Sequence, residues 1–312
     1  MNAYLDPRSS LVLLADGTCW TVAAEDEESR QVVDRLVLAM QLPVGVGSSG
    51  REIRVRTLGG SDREAGEGID PYAALADGEY AYDRYSECRR RRVVLDLEET
   101  RGWEAQVRGL LRLASVIVLG AIRNGGVMIH GCLVEWRGMG VVLAGPSGAG
   151  KSTACRRLPS TWEVRSDDAS LLVTDADGAV WAHPWPTWGA FFWGEPGGSC
   201  EVRRPTPLKA ICFLSQGPRI VVGRIGQGEA ACLGMETIEQ AAPMLTPGLS
   251  EEAKRSIRLQ QFQNLCAMVT KVPAYSLWTD RSGPFWESLE AVLMGAEGAA
   301  LVPSMHLLGI EV

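Results

Sequence analysis

Gly145-Pro-Ser-Gly-Ala-Gly-Lys-Ser152 is the stretch on which the fold turns. It fits the pattern G-x-x-x-x-G-K-[ST], a loop whose backbone cradles phosphates. The approach, Val141-Val-Leu-Ala144, is a short apolar run that reads as a buried strand. The exit, Ser152-Thr-Ala-Cys-Arg-Arg-Leu158, reads as a short helix. Strand, glycine loop and helix, in that order, are the context the pattern needs. Gly145, Gly148 and Gly150 lack a Cβ, so the backbone can turn tightly and aim its N–H groups inward. The helix start adds positive dipole where a triphosphate would lie. Lys151 supplies a point charge to the β and γ phosphates, and the Ser152 hydroxyl reaches Mg²⁺. Gly145, Pro146, Ser147, Gly148, Ala149, Gly150, Lys151, Ser152 and Thr153 are therefore the expected nucleotide-binding residues.

Outward from the loop, the hydrophobic pattern sketches the rest of the chain. Leu11–Leu14 and Cys19–Val22 read as a hairpin around Asp16-Gly17, and Glu25–Gln41 as an amphipathic helix. Ile53–Leu58 and Val93–Leu97 read as strands, and Gly59–Gly78 as a loop. The run Arg89-Arg-Arg-Arg92 reads first as a solvated edge and second as a contact for an acidic partner. Trp103–Arg123 is the most helix-like segment, stopped by Asn124-Gly-Gly126. Val127–Trp136 and Met139–Ala144 read as two strands joined by Arg137-Gly138. Leu171–Thr174 and Ala179–Ala182 read as a hairpin around Asp177-Gly178. Leu208–Leu214, Ile220–Arg224 and Pro273–Trp278 read as strands. Gly228–Leu245, Glu251–Thr270 and Pro284–Met294 read as helices. Residues 1–100 then form a small α+β module, and 101–312 the nucleotide-binding domain.

Composition narrows the class. The chain has 312 residues, 46% apolar and 22% charged, enough for one large or two ordinary domains. A formal net charge of −7 argues against steering toward nucleic acid or anionic lipid. None of the eight cysteines forms a C-x-x-C pair, so no zinc site is expected. Cys132 and Cys212 lie in apolar runs and read as buried hydrophobes of a reducing compartment. No basic-then-apolar leader opens the chain, and no apolar run is expected to approach the roughly 20 residues that span a bilayer. The expected location is the cytoplasm, with no membrane partner.

Two further features carry chemistry. Asp167-Asp168 follows a β-like run, sixteen and seventeen residues beyond Lys151. Phosphoryl transfer requires a carboxylate near the phosphates and Mg²⁺. An adjacent pair allows two jobs: one group binds the metal while the other accepts the proton of an attacking hydroxyl. His130-Gly131 lies on the run that precedes the loop's own strand, one hairpin from the phosphate site. No N-K-x-D guanine-reading motif and no L-S-G-G signature occurs, which sets aside switch GTPases and transporter ATPases.

The order His130-Gly131, Gly145–Ser152, Asp167-Asp168 resembles the HPr kinase/phosphorylase superfamily, whose nucleotide fold is shared with phosphoenolpyruvate carboxykinase. The resemblance covers roughly residues 103–225. With His183-Pro-Trp-Pro186 and Pro207–Gln216, it is closest to the HPr kinase-like proteins of peptide natural-product cassettes. Those include the SynChlorMet cassette protein ScmC and the kinases that phosphorylate lasso peptides. The resemblance implies an α/β fold, a mixed-sheet kinase core using ATP and Mg²⁺. By the same resemblance Asp167 is the base, His130 orients or assists it, and Lys151 holds phosphate. Ser152 and Asp168 take the metal. Cys200-Glu-Val-Arg-Arg204 matches only weakly the L-E-I-R-G-L-G stretch of true HPr kinases. Through it Glu201 becomes a further metal residue and Arg203 a further catalytic one. The glycines of that stretch are missing here, which removes the ground for expecting HPr as substrate or a reverse phosphorylase reaction. HPr kinases assemble, so a homo-oligomer is expected by resemblance alone.

The resulting expectation is a kinase that phosphorylates a Ser or Thr hydroxyl of a small peptide or protein. A small-molecule alcohol kinase of the same fold and a nucleotide-binding regulator or chaperone of cassette enzymes are the rivals. Four of the ten tryptophans fall between Trp181 and Trp193. They read equally as a docking face for a peptide and as packing beneath the Gly194–Ser199 loop.

Overall fold

The computed structural model describes residues 9–45, 51–57, 91–97, 102–194, 198–245 and 249–295. They form a mixed α/β protein with two sheets and, among the described residues, seven helices. The chain divides into two compact units. One takes the described residues within Met1–Gly125, Trp185–Arg204 and Ala242–Gln260; the other takes those within Gly126–Pro184, Pro205–Ala241 and Gln261–Val312.

In the first unit, β1 (Ser10–Leu13) and β2 (Cys19–Ala24) form the antiparallel hairpin that Asp16-Gly17 predicts. Gly17 takes a positive φ of 80°, and Thr18 donates to Asp16 from both N–H and hydroxyl. Helix α1 (Glu27–Met40) then carries the chain to β3 (Arg51–Thr57), parallel to β2, and β4 (Arg91–Leu97) pairs parallel to β3. Asp26 caps α1: its carboxylate accepts from Ser29 N–H at 2.7 Å, and Ser29 Oγ accepts from Asp26 N–H. The same carboxylate accepts from the Thr57 N–H at 2.7 Å, so it also ties the helix start to the end of β3. Val32, Val33, Leu36 and Met40 are buried, as their spacing predicts.

Helix α2 (Trp103–Arg123) runs over its full expected length. With 21 residues and a mean hydropathy of 1.6, it meets the length and composition needed to cross a bilayer. This corrects the expectation that no apolar run approaches that length: Arg108 and Arg112 interrupt the helix only near one end. In the fold 78% of its apolar window is buried. A Cβ on Gly109 would lie 3.3 Å from Val32, and one on Gly120 would lie 3.1 Å from the Trp20 ring, so glycine is what allows these close approaches.

The second unit is built on a nine-stranded sheet. Strands β6 (Gly131–Trp136) and β7 (Met139–Ala144) form a hairpin. Its turn residues Arg137 and Gly138 have φ of 50° and 75°, the signs of a type I′ turn. β7 lies parallel to β11 (Thr206–Gln216), and β11 parallel to β13 (Ala274–Thr279). β12 (Val221–Arg224) closes on β13. β8 (Trp162–Ser166) pairs with β6, while β9 (Ala169–Thr174) and β10 (Val180–Trp185) lead from β11 to β5 (Val127–Ile129).

The sheet is buried on both faces, which explains why its strands read as near-continuous apolar runs. Leu133, Val142, Ala144, Ile211 and Phe213 pack on one face with Ile238 of α5 (Gln227–Leu245) and Leu265 and Met268 of α6 (Glu251–Met268). Cys132, Val141, Leu143, Cys212 and Leu214 pack on the other. There they meet Ala154 and Cys155 of α3 (Lys151–Arg157) and Phe285 and Leu289 of α7 (Phe285–Leu293). Cys132 and Cys212 are fully buried, and burial pushes the Cys212 thiol up to about 12.

One expected element is divided. The run Val127–Trp136 is two strands, β5 and β6, with His130 between them. β5 pairs with β9, whereas β6 pairs with β7 and β8. Gly131 explains the break: a Cβ there would lie 2.9 Å from Val142 Cγ1 and 3.1 Å from the Leu143 carbonyl, so the backbone hugs β7 from this residue on. A further helix, α4 (Trp188–Trp193), forms inside the tryptophan-rich stretch.

Candidate functional site

The glycine loop leaves the carboxyl end of β7 and enters α3. Gly145, Gly148 and Gly150 hold φ of 149°, 83° and 100°, values that L side chains rarely adopt. A Cβ on Gly145 would also press 3.0 Å from the Leu214 carbonyl. Ala149 N–H donates to the Pro146 carbonyl, closing a turn within the loop. Lys151, the first residue of α3, is buried with 7% exposure. Its Nζ donates to the Gly145 carbonyl at 2.8 Å and the Pro146 carbonyl at 3.1 Å. An ammonium has three donors, so one is left for another acceptor. Ser152 and Thr153 stand exposed on the first turn.

His130 and the aspartates meet at a joint in the sheet. β5 and β6 run antiparallel to β9 and β8. Ile129 pairs with Ser170 before the joint and Leu133 with Ser166 after it. Between those pairs the same register sets His130, Gly131 and Cys132 opposite Ala169, Asp168 and Asp167, but the ladder is open there. Side chains staple the opening. Ser170 Oγ donates to the Gly131 carbonyl at 2.9 Å, and Cys132 Sγ donates to the Asp167 carbonyl at 2.6 Å. Ser166 Oγ lies 3.3 Å from Ser170 Oγ and accepts from the Leu133 N–H. His130 sends its own N–H to the Thr237 carbonyl of α5.

His130 Nδ1 sits 3.3 Å from Asp168 Oδ1. Burial, then the Lys151 charge, pull the His130 pKa down, and Asp168 opposes them. The balance favours a neutral imidazole at pH 7. Burial also lowers the Lys151 pKa, against the pull of Cys132 and Asp168. Asp167 moves the other way: burial and then the neighbouring Asp168 charge raise it, which makes it a stronger base than an exposed carboxylate. Cys132 shares a hydrogen bond with the Cys155 thiol and is buried, so its pKa is pushed up and it stays protonated. It is a donor to the joint rather than a nucleophile.

The second unit thus gathers Lys151, His130, Asp167 and Asp168, four residues that sequence reasoning selected. Cys132, Ser166 and Ser170 join the site without a motif in the sequence to mark them. Small residues in strands carry no pattern of their own, although Ser166 and Ser170 flank the aspartates in sequence. Glu201 and Arg203 fold with the first unit, where Cys200 and Val202 N–H groups bond the Ala39 and Met40 carbonyls at the end of α1. Glu201 is exposed, and Arg203 is half-buried with its Nε enclosed. Among the described residues, no three His, Cys, Asp or Glu side chains cluster as a metal cage.

The chain matches the model of one protein family, described as SynChlorMet cassette protein ScmC, over residues 93–294. The chain belongs to this family. The matched span begins within β4, takes in α2, the whole glycine loop and the joint, and ends just past α7. Among curated proteins none matches the chain. The family's span also covers the tryptophan-rich stretch, which the structure splits by role. Trp185 and Trp188 are buried with 2% and 4% exposure. Trp193 is 71% exposed, its ring 6.2 Å from that of Trp103 in the same unit. The Arg35 guanidinium lies 5.0 Å over the Phe192 ring. Residues 195–197, the centre of the expected loop, lie outside the described residues, as do Gly59–Gly78, Arg89 and Arg90.

Proposed function

We propose that this protein is an ATP- and Mg²⁺-dependent kinase with an HPr kinase-like second unit. It transfers the γ-phosphate to a Ser or Thr hydroxyl of a small peptide or protein in a natural-product cassette. The observation that carries the reading is the convergence of the glycine loop, buried Lys151, the His130–Asp168 contact and the raised Asp167 within one compact unit. The cassette context comes from the family description.

The residues fit the groups the reading needs. Three positive-φ glycines let loop amides converge on an anion, and Lys151 keeps one donor for phosphate. Mg²⁺ keeps several waters and takes one or two carboxylates plus phosphates, so Asp168 and Ser152 suffice without a protein cage. Once bound, the metal neutralises charge on the phosphates. Asp167 accepts the proton of the attacking hydroxyl, because its environment favours the protonated form. Neutral His130 orients Asp168 and adds no positive charge beside Lys151.

The test is direct. With ATP, Mg²⁺ and the precursor peptide of the cassette, the wild-type protein adds one phosphate to the peptide, read by mass. Lys151→Ala and Asp167→Asn do not. A fully active Asp167→Asn variant rules out the base assignment, and peptide left unmodified by the wild type rules out this acceptor class.

A further inference from the structure

We propose that Gln216, at the carboxyl end of β11, is a positioning residue for nucleotide binding that acts through the backbone of the glycine loop. This rests on the reading of the loop as a phosphate grip. Gln216 Nε2 donates to the Gly148 carbonyl at 2.8 Å. Gly148 is a point where hydrogen bonds, not packing, hold the loop. Its φ is 83°, and a Cβ there would meet nothing within 4 Å, so no packing limits its rotation. The peptide that joins Gly148 to Ala149 is planar, so the Gln216 bond to its carbonyl and the bond from its N–H to the Pro146 carbonyl brace one plane from both edges.

The anchor is itself rigid. Gln216 pairs in parallel register with Thr279 of β13, and the next N–H, from Gly217, donates to the Thr279 carbonyl at 3.0 Å. Two residues earlier on the same strand, the Leu214 carbonyl backs Gly145. The end of β11 therefore supports the loop at both of these glycines, by contact at Gly145 and by a hydrogen bond at Gly148. A loop held in its binding shape loses less freedom when the ligand arrives, and this is the source of the affinity. The side chain is exposed, so substitutions leave the core untouched.

Two variants of equal length test the donor. Gln216→Met has no donor, and Gln216→Glu presents only acceptors to the Gly148 carbonyl. Calorimetric titration with ATP and Mg²⁺ is expected to show Kd raised about three- to tenfold for Gln216→Met, and more for Gln216→Glu. The ligand-free melting temperature should stay unchanged. In turnover, KM for ATP should rise while kcat at saturating ATP holds within about twofold, a split that general destabilisation does not produce. Variants that bind ATP as the wild type does overturn the role of Gln216 and leave the loop reading intact. A wild-type protein that binds no nucleotide overturns both. One that binds ATP without transferring phosphate leaves the role of Gln216 standing and removes the kinase.

Discussion

Ser170→Ala removes a single oxygen from the joint that carries the aspartates. Ser170 is fully buried, and its hydroxyl makes two contacts, to the Gly131 carbonyl at 2.9 Å and to Ser166 Oγ at 3.3 Å. A neutral hydrogen bond is worth about 1 kcal/mol net, and the longer contact less. The groups left behind are enclosed, so water does not replace the lost partner. The expected cost is about 1.5–2.5 kcal/mol. For a unit of this size that lowers the melting temperature by about 3–10 °C. Scanning calorimetry at pH 7 measures it, with Ser160→Ala, on an exposed turn, as the neutral control. Ser166→Ala should cost a similar amount. The double variant should cost about 0.5–1 kcal/mol less than the sum, because the contact between the two serines is lost only once. Phosphate transfer at saturating ATP should fall while ATP affinity holds, since the joint carries Asp167 and Asp168 rather than the loop. A Ser170→Ala loss below about 0.5 kcal/mol, or strict additivity of the pair, refutes the staple.

With Asp167 as the proposed base, the acid limb of kcat/KM should lie above the usual aspartate range, because a base works only when deprotonated and burial and Asp168 raise the Asp167 pKa. Asp167→Asn, inactive, should be at least as stable as wild type at pH 7. A raised folded-state pKa means that the charged carboxylate opposes folding as pH climbs through that value, and the amide removes this opposition. Urea midpoints at pH 7 and the pH profile check both statements, and a destabilised Asp167→Asn contradicts the second. Gly145→Ala should abolish ATP binding in calorimetric titration, since it combines a φ of 149° with a 3.0 Å approach to the Leu214 carbonyl. Asp26→Ala should weaken the first unit by about 1 kcal/mol at pH 7 through loss of the helix cap. Burial works against the Asp26 carboxylate, but hydrogen bonds from Ser29 and Thr57 outweigh it and lower its pKa. Its contribution is therefore present above the ordinary aspartate pKa and is lost as pH falls through the lowered one. The gap between wild type and variant in urea midpoint should close on acidification.

Local signals made much of this architecture legible. The apolar period of Val107, Leu110, Leu111, Ala114, Val118 and Ile122 bounds α2, and Arg137-Gly138 locates the β6–β7 turn, because both depend on neighbours in sequence. The glycine loop and Asp167-Asp168 stand out for the same reason. Pairing partners do not show in this way. Nothing in Val127–Trp136 announces that the chain changes partners at His130, since the cause is the approach of Gly131 to Val142 and Leu143 across the sheet. Cys132, Ser166 and Ser170 escape notice because their role comes only from facing one another over the open register. The tryptophans between 181 and 193 look alike in sequence, and burial alone separates Trp188 from Trp193.

β11 has a consequence for the order in which a newly made chain matures. Ile211 pairs on one side with Val142, made long before it, and on the other with Ala274, made more than sixty residues later. Until β13 leaves the ribosome, β11 presents an apolar parallel edge, the kind of surface that recruits other nascent chains. The strand end bearing Leu214 and Gln216 also lacks its second neighbour during that interval. If the loop grips a nucleotide as proposed, that affinity should be acquired late in synthesis, well after the glycine loop itself has been made. A chaperone that shields this one edge would decide how much of the protein reaches its working form.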